Sequence, residues 1–146
     1  MNAMQPSPRT MAEQIAQVVT GFQQQTTGVE PTSVSVVLSQ DTLVVTIHGA
    51  LSPAERTLSR SPEGAAQVEG FHRQLFLSAS ESLREEIKRI TGMDVREARA
   101  EVEPASGTLV HVFTSGTMVQ VFLLSGNLPS GSFQTGDKTR VENRGS

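Results

Sequence analysis

The segment Leu51 to Gly64, LSPAERTLSRSPEG, gathers the residues best suited to chemistry: Glu55, Arg56, Arg60, Glu63 and Gly64. It holds two helix starts. Ser52 is an N-cap followed by Pro53 and Glu55, and Ser61 is an N-cap followed by Pro62. Arg56 and Arg60, one turn apart on the first helix, would stand beside the free backbone amides that open the second. Two cations and a helix N-terminus can hold a small anion such as phosphate, bicarbonate or a carboxylate, with His48 or His72 tuning the site by pH. The same residues have a structural account. Glu55, three residues after Ser52, completes a capping box, Glu63 suits the dipole of the first turn, and the arginines can face water. The sequence leaves both readings open.

The remaining chemistry is sparse. His48, His72 and His111 fall on strand, helix and strand, with no carboxylate or second histidine at metal-ligand spacing. No serine lies in a G-x-S-x-G pattern, and the glycines form neither a dinucleotide fingerprint nor a phosphate loop. Glu55 could serve as a general acid or base, but no nucleophile or second positioned group accompanies it. A pocket lined by Leu58, Phe71 and Phe76 is conceivable where the short helix meets a sheet. No enzyme, cofactor or metal site is expected.

Composition narrows the classes further. Without cysteine there are no disulfides, thiolate nucleophiles or sulfur-ligated metals. A net charge of -3, with neither tyrosine nor tryptophan, gives no basic field or stacking platform for nucleic acid. No stretch is apolar enough to insert in a membrane, and the first residues lack the pattern of a secretion signal, so a cytoplasmic protein is expected.

The elements that must position these residues read as a single α+β domain. Residues 1–8 form a flexible arm, 9–124 the domain and 125–146 a disordered, glycine-rich tail. Met11, Ile15, Val18 and Phe22 put an apolar stripe on an N-terminal helix otherwise rich in glutamine. Ser33–Leu38 and Thr42–His48, joined by Ser39-Gln40-Asp41, read as a β-hairpin. A short helix follows, then a long one from Pro62 to about Thr91, with a stripe of Ala65, Val68, Phe71, Leu75, Ala79, Leu83, Ile87 and Ile90, stopped by Gly92. Three further strands are expected over Val95–Glu103, Thr108–Thr114 and Thr117–Leu124. The order is therefore α-β-β-α-α-β-β-β, an antiparallel sheet of four to five strands with helices on it.

The block L-S-P-A-E-R-x-L-x-x-S-P-E-G at 51–64, with a long helix ending I-T-G-M-D-V at 90–95, resembles the MpsC-like family of small bacterial proteins. The resemblance covers about residues 11–124. It implies an accessory role in a sodium-translocating, membrane-potential-generating system whose membrane partners look related to inorganic-carbon uptake. It supplies no catalytic residues.

The expectation that follows is a non-enzymatic interaction module. The sheet looks apolar on both faces, so a homodimer would bury what the helices leave open. Val44, Val110 and Val112 are candidates for one face. Val119, Val121 and Leu123 offer a last strand whose outer edge another chain could extend. A membrane transport subunit is the second expected partner, and a small-anion-binding protein is the alternative function.

Overall fold

The computed structural model describes residues 8–96, 108–113 and 115–135. Its elements are α1 (Pro8–Thr27), β1 (Ser33–His48), α2 (Pro53–Leu58), α3 (Pro62–Thr91), β2 (Thr108–Val112) and β3 (Met118–Gln134). The three strands form one antiparallel sheet in the order β1-β3-β2. The fold is α+β, as the sequence implies, with three described strands rather than four or five.

The expected hairpin of Ser33–Leu38 and Thr42–His48 is a single strand instead. Ser39-Gln40-Asp41 does not reverse the chain. It sits at a break in register, with Gln40 in the left-handed region at φ 55°. The reason lies in β3, which is long enough to pair with both halves of β1, from Ile47↔Met118 to Ser35↔Gln134. Extra residues of β3 bulge at the break, where an antiparallel ladder tolerates them. Arg96 donates to Asp41 Oδ2 at 2.9 Å and so ties the chain beyond α3 to this point.

Two other expectations change with β3. Residues 125–134, read as the start of a disordered tail, are its second half and pair with Ser35–Gln40. Val119, Val121 and Leu123 lie in the central strand, so they offer no free edge; the edges of the described sheet belong to β1 and β2. Of the strand expected over 95–103, Val95 bridges Leu124, and residues 97–103 lie outside the described part.

Strand alternation directs Val34, Val36, Leu38, Leu43, Val45 and Ile47 of β1, with Met118, Phe122 and Leu124 of β3 and Val110 of β2, to one face. Met11, Ala12, Ile15, Ala16 and Val19 of α1 close over that face, and Phe76, Leu83, Ile87 and Ile90 of α3 join the same core. The stripe of α3 differs from the sequence reading in its first half. Val68, His72 and Phe76 point inward, while Phe71 is 51% exposed. Steps of three or four both keep to one helix face, and polarity alone favoured Phe71 over His72. The buried histidine has a partner that sequence spacing did not reveal.

Candidate functional site

That partner is Glu55. Ser52 caps α2, and its hydroxyl accepts from the Glu55 amide at 3.2 Å; Glu55 Oε1 in return accepts from the Ser52 amide at 2.9 Å. This reciprocal box orients the carboxylate, and its second oxygen, Oε2, lies 2.9 Å from His72 Nε2. The histidine side chain is 1% exposed and that of Glu55 19%. One carboxylate therefore closes the N-terminus of α2 and fastens α2 to α3. Seventeen residues separate the two groups, so no local motif announces them.

Gly64 belongs to the same junction. A Cβ built on it would stand 2.8 Å from the Leu58 carbonyl carbon and closer still to the carbonyl oxygen. The last turn of α2 thus lies directly against the first turn of α3, an approach that only a glycine permits. Ser61 caps α3, its Oγ accepting from the Gly64 amide at 3.0 Å and its carbonyl from Ala65. Pro62 has no amide to offer. The opening amides of α3 are thus largely engaged within the chain.

The other expected site residues are dispersed around this junction. Glu63, Arg56 and Arg60 are exposed, and the two arginines make no ion pair among the described residues. Arg56 reaches the turn at Gly116, where its Cδ and the Leu51 side chain are each 4.0 Å from the position of a Cβ. His48 ends β1 beside that turn, with Nδ1 3.5 Å from Thr117 Oγ1. His72 and His48 do not meet. Leu58, Phe71 and Phe76, conceivable as the lining of a pocket, do not come together as one: Leu58 and Phe71 are exposed and Phe76 is in the core. His111 Nδ1 lies 3.7 Å from Glu69 Oε2, so a second histidine also has a carboxylate neighbour. Among the described residues no three histidine or acidic side chains gather to hold a metal.

Sequence reasoning overlooked two polar residues. Gln23 of α1 and Gln120 of β3 are 7% and 3% exposed. Gln120 carried a signal: it alternates with Met118, Phe122 and Leu124 on the inward face of its strand. Gln23 carried none, being one of several glutamines on α1.

The family model described as Na+-translocating membrane potential-generating system (MpsC) matches residues 8–116, from the first residue of α1 through the turn before β3. The chain belongs to the MpsC family. It is 27% identical over 110 residues to the uncharacterized protein YbcI of Bacillus subtilis (strain 168), an overlap spanning 75% of this chain and 89% of that relative. No solved structure matches. The matched region contains the whole junction of Ser52, Glu55, Gly64 and His72. All of β3 lies beyond it.

Proposed function

We propose that this MpsC-family chain is a non-enzymatic accessory module that pairs with a second copy of itself through the open face of its sheet. The observation that carries the reading is the one-sided covering of the sheet. α1 and α3 share their core with one face. On the other, Val44 of β1 and Val119, Val121 and Leu123 of β3 form a half-buried apolar band on which no described element packs. Val44 stands directly opposite Val121, Thr46 opposite Val119 and Thr42 opposite Leu123, so the band is continuous across the strands.

A second copy suits this face better than a charged partner does. Its central residues are valine, leucine and threonine without a lysine, arginine, aspartate or glutamate among them. Such a surface is complementary to itself about a two-fold axis, and two sheets can pack face to face at about 10 Å. Val110, grouped with Val44 by sequence, points into the core and takes no part.

The family description supports a place for the dimer beside a sodium-translocating membrane system. No described helix is long and apolar enough to cross a membrane. The role proposed is therefore that of a peripheral component docked on membrane subunits. In this reading the Glu55–His72 pair serves as a fastener between helices.

Light scattering coupled to size exclusion, at tens of micromolar, tests self-association. The native chain should elute as a dimer and Val121→Lys as a folded monomer with an unchanged circular dichroism spectrum. A native monomer overturns the dimer. Capture from gently solubilised native membranes tests the second part: a multi-spanning ion- or carbon-transport subunit should co-purify, and its repeated absence refutes the transport link.

A further inference from the structure

Gln23, His72 and Gln120, from α1, α3 and β3, line one small cavity whose other walls include Phe22, Phe76 and Leu83. All three polar side chains are more than nine-tenths buried. Gln23 Nε2 and Gln120 Oε1 have no hydrogen-bond partner in the protein. The other end of the Gln120 amide contacts only weakly, with Nε2 3.7 Å from Met118 Sδ. A buried amide group left unpaired lowers the folding equilibrium constant roughly tenfold or more, so two at one place demand an account.

We propose that the cavity is a binding site for a single water molecule that accepts from Gln23 Nε2 and donates to Gln120 Oε1. Size sets the ligand class. The cavity gives about 20 Å³ to the centre of a water-sized molecule, and one bound water needs roughly 10–15 Å³ on that measure. Charge sets it too. The unpaired atoms of the lining are one amide donor and one amide acceptor, none of the lining residues is a carboxylate, and the Glu55 carboxylate is bound to His72. An anion would meet the Gln120 oxygen and a cation the Gln23 amide hydrogens. Water, with two donors and two acceptors, matches the pair, and still does if either amide is turned end for end. The water thereby joins α1 to the central strand at a point where most of the surrounding side chains are apolar.

The test is a double-mutant cycle in the full chain with Gln23→Leu, Gln120→Leu and the pair, read by urea denaturation. Each single change should lower the folding constant about tenfold, by stranding the remaining amide and the water. The double variant should lie well above the product of the two losses, because both polar ends are then gone. Additive losses overturn the proposal. The native chain provides a second measurement that does not depend on the variants folding. A high-resolution crystal structure should show a water within about 2.7–3.2 Å of both amides. A direct Gln23–Gln120 hydrogen bond, or a dry cavity, overturns it equally.

Discussion

Replacing Gly64 with alanine should destabilise the protein, although the same change at most exposed positions in a helix does the reverse. Alanine inside a helix is favoured over glycine by about 1 kcal/mol. At Gly64 the new Cβ would overlap the Leu58 carbonyl oxygen, and its neighbours are backbone rather than the end of a flexible side chain. The junction must open to admit it. Overpacking of this kind costs about 1–3 kcal/mol. Opening also strains the Ser61 cap on the Gly64 amide, and a lost cap costs about 1 kcal/mol. Together these losses exceed the gain in propensity and leave a net loss of about 1–3 kcal/mol. Gly70 provides the comparison within the same helix, because a Cβ there meets nothing within 4 Å. Gly70→Ala should gain up to about 1 kcal/mol. Urea denaturation resolves the two signs readily, since a slope of roughly 1–3 kcal/mol per molar turns these energies into midpoint shifts of opposite direction. If Gly64→Ala proves as stable as the native chain, or if both variants move the same way, the close approach of α2 to α3 is wrong.

Glu55→Ala should cost about 2–4 kcal/mol, from loss of the capping box and from leaving His72 buried without its acceptor; a loss no larger than an isolated cap, near 1 kcal/mol, would remove the His72 contact from the account. Phe122→Ala, at a fully buried position of the central strand, should cost about 3–5 kcal/mol by the same assay. A chain ending at Leu124 should lose its cooperative unfolding transition, because the second half of β3 is the only described strand paired with Ser35–Gln40; a truncated chain of native stability would show that this pairing contributes nothing.

Much of this protein was legible locally. The caps at Ser52 and Ser61, the prolines that follow them and the stop at Gly92 are written in short runs of residues, and they delimit α2 and α3 as the structure has them. Helix ends depend on groups within one turn, so sequence suffices. The same holds for the inward alternation of Leu43, Val45 and Ile47, since strand geometry sends every second side chain to one face. The block at 51–64 also carried the family, which the match over residues 8–116 establishes.

What sequence left undecided depends on partners far along the chain. A run such as Ser39-Gln40-Asp41 can turn a hairpin or mark a bulge, and the choice fell to β3, whose Leu128 pairs with Gln40. The glycine-rich stretch after Ser125 looked unable to fold because its side chains bury little, yet strand pairing uses backbone amides and carbonyls that composition does not report. His72 replaced Phe71 in the core because Glu55, brought in by α2, could satisfy a buried imidazole. Gln23 and Gln120 came to line one cavity only when α1 closed over the sheet. Sequence by itself determined the existence of the helices, the caps of α2 and α3 and the inward alternation of the first strand, because these arise from neighbours within a few residues. Tertiary structure alone decided the strand order, the length of β3 and the polar contacts of the core, because each is a contact between groups that the chain order keeps apart.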